Sequence, residues 1–241
     1  MYKSKSVSVI FPTLNEELNI LNAVNEFINN PYVDEVLVVD NGSTDSTKKI
    51  VHQTNAKYIL ESKRGYGEAC ITGIRNCFSD IMFLVEPDGT FSSNDIEKFL
   101  SYSDQFGAVL GSRTASALIW ERAHMPNWIR FGNWLCAKII EVLFSGPSLS
   151  DVGCTYKLLT KETKKNIIEH LGVGGSHFSP HFMIECLKAN VKCIEIPINY
   201  YARVGESKIT GVNNLKTIKL GLLMFFYIFF QRFKVIGYRF K

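Results

Sequence analysis

The first 110 residues alternate short apolar runs with segments of helical spacing, and this alternation constrains the fold more than any other feature. The apolar runs are short and bounded by polar residues, as buried strands are. We predict strands at Val7–Phe11, Glu35–Asp40, Lys57–Leu60, Ile81–Glu86 and Ala108–Gly111. We predict helices between them at Glu17–Asn29, Ser46–Gln53, Gly65–Phe78 and Asn94–Ser103. Such alternation produces an α/β fold, in which a mostly parallel sheet is flanked by helices.

The second half of the chain is less regular but continues the same class of structure. Its predicted elements are a helix at Trp128–Phe144, a strand at Cys154–Leu159, helices at Lys161–His170 and Pro180–Ala189, and a strand at Cys193–Pro197. Because no linker divides the chain into independently folding units, residues 1–211 are predicted to form one domain. Residues 212–241 stand apart in composition as an apolar and basic C-terminal helix.

The C-terminal segment favours a membrane surface over nucleic acid as a partner. Leu220–Phe230 has no charged residue, but as a helix it reaches only about 16 Å, against ~30 Å for a hydrocarbon core. From Lys208 onward there are seven Lys or Arg and no Asp or Glu, which suits a helix lying on an anionic leaflet. A core helix packed on the sheet, or a helix that binds a partner membrane protein, is the alternative.

The N-terminus and the six scattered cysteines both indicate the cytoplasm. The first residues lack the apolar stretch of a signal peptide, and no Cys-x-x-Cys pair occurs, so we expect free thiols in a reducing compartment. The five histidines form no ligand pattern, since His177 and His181 have Pro180 between them. We therefore expect a cytoplasmic protein that associates peripherally with the cytoplasmic face of a membrane.

Two acidic motifs follow predicted strands, where ligands of open α/β sheets bind. Glu86-Pro-Asp88-Gly-Thr90 offers two carboxylates that can hold Mg²⁺ or Mn²⁺ against a diphosphate, although Pro-Asp-Gly is also a common turn. Asp40 can accept hydrogen bonds from a ribose or a base, or can belong to an ordinary strand-to-helix connection. Arg64-Gly-Tyr-Gly67 opens a helix and could approach phosphates, but it lacks the spacing of known phosphate fingerprints.

Taken in order, these motifs resemble the family 2 glycosyltransferases of the GT-A fold. The resemblance rests on Phe11-Pro-Thr-Leu-Asn-Glu16, Val38-Val-Asp-Asn-Gly-Ser-Thr-Asp45, Arg64-Gly-Tyr-Gly67 and Glu86-Pro-Asp88. In the second half, Gly111-Ser-Arg113, Asp151-Val-Gly-Cys-Thr-Tyr-Lys157, Glu195-Ile-Pro197 and Arg203-Val-Gly-Glu-Ser-Lys208 look like the dolichyl-phosphate mannosyltransferase branch and its bacterial polyprenyl-phosphate relatives. The similarity runs from about Ser8 to Lys208.

The resemblance implies a role for each matching residue. The nucleotide-sugar site it implies consists of Pro12, Leu14, Glu16, Val38, Asp40, Glu86, Pro87, Asp88, Thr90, Arg113, Arg203 and Lys208. The metal pair it implies is Glu86 and Asp88, with Mg²⁺ or Mn²⁺ as cofactor. The catalytic residues it implies are Glu86, Asp88, Arg113, Arg203 and Lys208. Asp151, within a matching motif, is our own candidate for a catalytic base if the acceptor is a hydroxyl.

The sequence departs from the family pattern at four points. Glu86 stands where this branch usually has Asp, and Asn41 replaces a frequent second Asp. Thr155 stands where Gly is typical, and no Gly-Gly pair follows Arg113. These departures leave the donor sugar and the acceptor open.

The expected activity is an inverting, metal-dependent hexosyl transfer from a nucleotide sugar such as GDP-mannose or UDP-glucose. The expected acceptor is a polyprenyl or dolichyl phosphate, in the biosynthesis of a cell-envelope glycan. The alternatives are a glycosyltransferase with a soluble acceptor and a non-catalytic nucleotide-sugar-binding scaffold. Trp120, Trp128 and Trp134 surround the candidate acceptor loop and could meet a sugar or lipid, although packing is the simpler expectation for each.

Overall fold

A computed structural model describes residues 1–120, 123, 125–205 and 214–239 of the chain. The strands are β1 (Val7–Thr13), β2 (Glu35–Asp40), β3 (Lys57–Leu60), β4 (Ile81–Leu84), β5 (Ala108–Ser112), β6 (Lys157–Thr160) and β7 (Cys193–Pro197). The α-helices are α1 (Ile20–Ile28), α2 (Thr47–Val51), α3 (Tyr66–Asn76), α4 (Ile96–Leu100), α5 (Asn127–Phe144), α6 (Lys161–Ile167), α7 (Phe178–Lys188) and α8 (Asn214–Arg239).

The strands form one sheet in the order β3-β2-β1-β4-β6-β5-β7. All neighbouring pairs are parallel except those of β6, which runs antiparallel to both β4 and β5. The predicted α/β class with a mostly parallel sheet is therefore confirmed. Because β6 is reversed, its amino end lies at the same edge as the carboxyl ends of the other strands.

The core consists of two layers, one on each face of the sheet. Successive side chains of a strand point to opposite faces, so Ile10 enters one layer while Val9 and Phe11 enter the other. The first layer is covered by α3, α5, α6, α7 and α8, and the second by α1, α2 and α4. Almost every residue of β1, β2, β4, β5 and β6 is buried, as expected for a sheet covered on both faces, whereas the edge strand β3 is partly exposed.

The element predictions were accurate in the strands β2, β3 and β7, whose bounds are unchanged. β4 ends at Leu84, so Glu86 lies in the following loop rather than in the strand. β6 begins at Lys157 instead of Cys154, because the preceding residues form turns around Asp151. α7 begins at Phe178, so Pro180 falls in its first turn, where a missing N–H leaves no helical bond unmade.

The C-terminal helix α8 packs one face on α5 and α7. Met224 and Ile228 are buried in the core, and the Tyr227 hydroxyl lies 2.7 Å from Nδ1 of His181. Burial lowers the pKa of His181 to about 4, so this ring is neutral near pH 7. The expected alternative of a core helix is therefore correct for this face. The proposed domain boundary after residue 211 lies outside the described residues.

Among the helices that the structure describes, none combines the length and apolar character needed to cross a membrane.

Candidate active site

Polar side chains from five segments converge at the edge where the parallel strands end. Asp40 closes β2, Asp88 follows β4, Arg113 follows β5 and Asp151 precedes β6. Arg203 reaches the same edge from the segment after β7. This edge is where open α/β sheets bind their ligands, so the predicted residues are brought together by the strand order.

Asp40 is held rigidly at the end of β2. It is buried, and its two carboxylate oxygens accept hydrogen bonds from the Ser43 N–H and from the Tyr58 hydroxyl, both at 2.8 Å. Burial and the Asp40 carboxylate raise the pKa of Tyr58 to about 12. Sequence reasoning missed Tyr58, although its place in β3, opposite Val38, puts it next to the end of β2.

Asn41 has a structural reason to differ from the family's usual Asp. Its Oδ1 accepts a hydrogen bond from the Gly65 N–H at 2.7 Å, and its Nδ2 donates to the Lys63 carbonyl oxygen at 2.7 Å. A carboxylate has no hydrogen to give to the Lys63 carbonyl. Asn41 therefore fixes the loop between β3 and α3 beside Asp40.

The two glycines before and inside α3 serve packing. A Cβ at Gly65 would lie 2.2 Å from the Gly174 carbonyl oxygen, and one at Gly67 would lie 2.0 Å from the Val173 carbonyl oxygen. Gly65 also has a φ of 143°, which side-chain-bearing residues rarely adopt. The close approach of residues 173–174 thus accounts for both glycines without a phosphate, and only the Arg64 side chain, beside Gly42, remains near the ligand edge.

The loop after β4 presents the predicted metal pair. The buried Asp88 accepts hydrogen bonds from the N–H and the hydroxyl of Thr90, at 3.0 and 2.5 Å. Gly89 has a φ of 80°, which lets the chain turn directly after Asp88. Burial of Glu86 and its nearness to the Asp88 carboxylate raise the pKa of Glu86 to about 8. Two carboxylates that repel each other in an enclosed place favour a bound cation.

Residues 199–205 form a crossing segment that runs over these carboxylates. Arg203 donates from Nη1 to Asp88 at 2.7 Å and from Nη2 to Glu16 at 3.2 Å. The Val204 N–H donates to the Asp88 carbonyl oxygen, and the Asn19 amide donates to the Val204 carbonyl oxygen. Arg203 therefore joins the nucleotide side of the predicted site to the metal side.

One N–H donor of the Arg203 guanidinium has no acceptor among the described residues. Its Nε is buried and has no hydrogen-bond partner within the described part of the chain. A buried N–H without an acceptor is costly, and a phosphate oxygen is the acceptor that best suits a guanidinium. Arg203 is thus placed to receive an anionic ligand in addition to its two carboxylates.

Arg113 and Asp151 form a closed ion pair. Arg113 donates from Nε and Nη2 to the two oxygens of Asp151 at 2.8 and 3.0 Å. The N–H groups of Arg113 and Gly153 donate to the same carboxylate at 3.1 Å. Burial acts to raise the pKa of Asp151, but the charge and hydrogen bonds of Arg113 outweigh it and hold this pKa below its usual value. Asp151 is consequently a poor proton acceptor, contrary to the expectation of a base.

Glu195 supports this ion pair from β7. Its carboxylate accepts hydrogen bonds from the Ser150 N–H at 2.7 Å, the Ser150 hydroxyl at 2.5 Å and the Asp151 N–H at 3.0 Å. The Tyr200 ring lies under the Arg113 guanidinium at 5.3 Å. Glu195 stood in a recognised motif but was not named as a site residue, whereas no sequence signal identified Tyr200.

The remaining predicted residues contribute in different ways. Val38 is fully buried in the core two residues before Asp40, so its side chain supports the strand and faces no ligand. Pro12 and Pro87 are buried beside the site, and Leu14 is half-buried at the end of β1. Lys208 lies outside the described residues.

The residues present fit a divalent metal only in company with a ligand. Within the described residues, no three His, Cys, Asp or Glu side chains cluster as a metal site. Glu86 and Asp88 offer at most two carboxylates, and Mg²⁺ or Mn²⁺ typically completes such a set with phosphate oxygens and water. A cation held between this pair and a diphosphate is consistent with two neighbouring carboxylates that repel each other, of which Asp88 is buried and Glu86 half-buried.

Comparison with known proteins agrees with this geometry. The model of the family described as Glycosyl transferase family 2 matches residues 8–166. The chain is 25% identical over 222 residues to glycosyltransferase AglJ of Haloferax volcanii, covering 91% of this chain and 70% of that protein. It is 29% identical over 217 residues to the UDP-N-acetylglucosamine–dolichyl-phosphate N-acetylglucosaminyltransferase of Methanococcus voltae, covering 80% and 85% of the two chains.

A solved structure shares the fold across most of the chain. Glucosyl-3-phosphoglycerate synthase from Mycobacterium tuberculosis, in complex with Mn²⁺, UDP and glucosyl-3-phosphoglycerate, superposes with a TM-score of 0.67 at 14% identity. The match covers 95% of this chain and 80% of that one. Together with the family match over most of the sequence, the strand order and the site at the strand ends, this shows that the chain belongs to glycosyl transferase family 2.

Proposed function

We propose that this enzyme transfers a hexose, with inversion, from a nucleotide-diphosphate sugar to a polyprenyl or dolichyl phosphate. The donor we favour is a UDP-sugar, because both the Methanococcus relative and the Mycobacterium structure have a uridine nucleotide in their names. A lipid-phosphate acceptor is supported by the dolichyl-phosphate relative. We place the reaction at the cytoplasmic face of a membrane and in the assembly of a cell-envelope glycan.

The donor side of the site follows from the carboxylates. Asp40, fixed by Tyr58 and Ser43, presents an anchored acceptor for hydrogen bonds from the ribose or base. Glu86 and Asp88 would hold Mg²⁺ or Mn²⁺, which neutralises the charge that develops on the leaving diphosphate. The Nε of Arg203, which has no acceptor among the residues that the structure describes, can donate to the same diphosphate or to the acceptor phosphate.

We favour a phosphate acceptor because the carboxylate of Asp151 is fully hydrogen-bonded. A sugar hydroxyl must lose a proton as it attacks, which requires a base in the site. All the hydrogen bonds of Asp151 are taken by Arg113 and Gly153, and Glu86 is assigned to the cation. A phosphate acceptor is already an anionic nucleophile and needs no such base. Its oxygen can attack the anomeric carbon directly, as the bond to the leaving diphosphate breaks, while Arg203 orients it.

A transfer assay with matched lipids tests this proposal. The purified protein is incubated with radiolabelled UDP-glucose, UDP-N-acetylglucosamine or GDP-mannose, with Mn²⁺ or Mg²⁺ or excess chelator. The acceptors are a short-chain polyprenyl phosphate and the corresponding polyprenol, which lacks only the phosphate. We expect an organic-soluble, acid-labile labelled product from the phosphate alone, and none in chelator.

Other outcomes would select the remaining functions. Transfer to 3-phosphoglycerate or another small acceptor, with none to the lipid phosphate, would make the enzyme a soluble-acceptor transferase. Binding of a nucleotide sugar without transfer or hydrolysis under any condition would leave a non-catalytic scaffold. Activity that survives excess chelator would remove the metal from the mechanism.

A further inference from the structure

The helix α8 has two faces of opposite character. Its inner face packs Met224 and Ile228 into the core. Its outer face carries large apolar side chains at intervals of three or four residues, and each is 48–65% exposed. These side chains are Ile218, Leu222, Phe226, Phe230 and Phe233. Because residues at this spacing share one side of a helix, the exposed side chains form a continuous apolar stripe.

The neighbouring helix α5 repeats this arrangement. Its inner face buries Cys136, Ala137 and Ile140 in the same core layer as α8. Its outer face exposes Trp128, Phe131, Trp134, Leu135 and Val142, at 37–77%. Since α5 and α8 pack against each other and cover the same layer, their outer faces lie side by side. We call these two outer stripes together the docking face.

The amino-terminal half of α5 also contacts the catalytic loops. Arg130 donates from Nη2 to the Thr114 carbonyl oxygen at 2.9 Å, next to Arg113. The Asn133 side chain sits against Gly153, where an added Cβ would come within 2.7 Å of it. The helix α5 thus contacts the loops of the Arg113–Asp151 pair and also carries the exposed aromatic stripe.

The positive charges on α8 indicate what kind of surface the docking face binds. By the 100° turn per residue, Lys216 and Arg232 lie on opposite flanks of the α8 stripe, and Lys219 lies on the side that the stripe occupies. No Asp or Glu occurs anywhere in α8. Two copies packed stripe to stripe would bring these cations together without an acidic partner. An anionic lipid surface instead attracts each of them by about 1 kcal/mol while it takes up the apolar rings.

We propose that the docking face, α5 as well as α8, seats this protein on an anionic bilayer with the Arg113–Asp151 pair next to the headgroups. The inference rests on the proposed function for its purpose, since it would bring a lipid-linked phosphate to the site. It extends the expected membrane contact from Leu220–Phe230 to a second helix. It also orients the molecule, because α5 connects the membrane surface to the acceptor side of the site.

Vesicle flotation with the full chain tests the proposal without any sugar transfer. Phosphatidylcholine vesicles are compared with vesicles that also contain phosphatidylglycerol, at low and high salt. The double variants are Phe131→Ser with Leu135→Ser on α5, and Phe226→Ser with Phe230→Ser on α8. The matched control is Leu60→Ser with Phe78→Ser, which removes two exposed apolar side chains that belong to neither α5 nor α8. Thermal unfolding establishes that each variant is folded.

We expect the wild type and the control to float with anionic vesicles, and less so at high salt. Each docking-face variant should lose roughly 10-fold or more in partitioning into vesicles, because it lacks two exposed apolar side chains that would enter the bilayer. In a Trp120→Phe background, vesicles should shift the fluorescence of Trp128 and Trp134 to shorter wavelength. If the α8 variant fails to fold, Lys216→Glu with Lys219→Glu, which keeps every apolar side chain of the stripe, must show the loss on anionic vesicles.

Two results would overturn the inference. One is an α5 variant that floats as well as the control, with no fluorescence shift in the parent. The other is a wild type that does not bind vesicles and sediments as a dimer, while the α8 variant sediments as a monomer. The proposed function can be judged separately, since transfer to a short-chain, water-dispersed lipid phosphate does not require docking. Lost flotation with retained transfer would reject only the docking face.

Discussion

The two arginine–carboxylate pairs of the site are built in different ways. Arg113 meets Asp151 through two parallel bonds of 2.8 and 3.0 Å, and backbone N–H groups complete the coordination of the carboxylate. Arg203 divides its terminal nitrogens between Asp88 and Glu16 and keeps a buried Nε without an acceptor among the described residues. The first pair is complete by itself, whereas the second has a donor left for a ligand.

This difference separates a positioning unit from a ligand-exchanging one. A closed bidentate pair costs energy to break and gains little from a substrate, so it acts by holding the acceptor loops. In an open pair, the arginine side chain can exchange a carboxylate partner for a phosphate. The contrast predicts that variants of the first pair lose stability and that variants of the second lose activity.

The largest expected effect is on the stability of Asp151→Ala. Removing this carboxylate leaves the Arg113 guanidinium enclosed without its partner, which typically costs roughly 3–5 kcal/mol. Chemical denaturation at pH 7 measures the loss. A variant as stable as the wild type would show that the pair is not a structural unit, and the comparison would fail.

The next effect is on the activity of Asp88→Asn. We expect kcat/KM to fall about 10²–10³-fold, because the cation loses its anionic ligand at the leaving diphosphate. The melting temperature should change little, since the amide keeps the shape of the side chain. Mn²⁺ binding in the presence of UDP, measured by electron paramagnetic resonance, should weaken in parallel. Glu86→Asp, which restores the commoner family residue, should keep part of the activity.

A smaller loss is expected for Arg203→Ala. One charge-assisted contact is worth ~1.5–3 kcal/mol, so catalytic efficiency should fall roughly 10- to 150-fold while the melting temperature falls little. Arg203→Lys should be intermediate, because an ammonium keeps the charge without the fork. Equal losses of activity and stability would make Arg203 a structural residue like Arg113. The sequence motif predicts the same behaviour for Lys208→Ala.

The smallest expected effect is on how the stability of Asp151→Asn depends on pH, compared with that of the wild type. The pKa of Asp151 is lower in the folded protein, so its contribution to stability is present above the usual pKa of Asp and is lost as pH falls through the folded value. Over that window one proton changes the free energy of unfolding by at most about 1.4 kcal/mol per pH unit. Asp151→Asn should remove this part of the slope in denaturation curves below pH 4. An unchanged slope would mean that Asp151 is not strongly paired.

Sequence alone predicted where the candidate donor residues lie relative to the strands. The strands β2 and β3 have their predicted bounds, Asp40 closes β2, and Asp88 lies in the loop that follows β4. This success has a simple cause, because parallel strands with short connections bring residues together that are identifiable from local patterns. The family motifs added the order in which these residues occur.

The acceptor side could not be predicted to the same depth. The contacts of Asp151 join it to Arg113, 38 residues earlier, and to Glu195, 44 residues later, and no local pattern encodes such pairings. The predicted start of β6 is three residues too early, since the apolar Cys154 and Tyr156 resemble strand residues but are buried in the irregular segment before the strand. The outer stripe of α5 was also missed, because its tryptophans were expected to pack.

The reversed strand β6 has a consequence for how the chain is made. Leu84 of β4 pairs with Lys157, so one edge of this fully buried strand is completed by residues 73 positions later in the chain. At ~5–20 residues per second, the ribosome leaves that edge open for roughly 4–15 s. In this interval β5 emerges first and can pair with β4 in the parallel arrangement that α/β units favour, a wrong neighbour that β6 must later replace. A nascent chain stalled before residue 157 should accordingly remain bound to chaperones, and one extended well past Thr160 should dissociate from them.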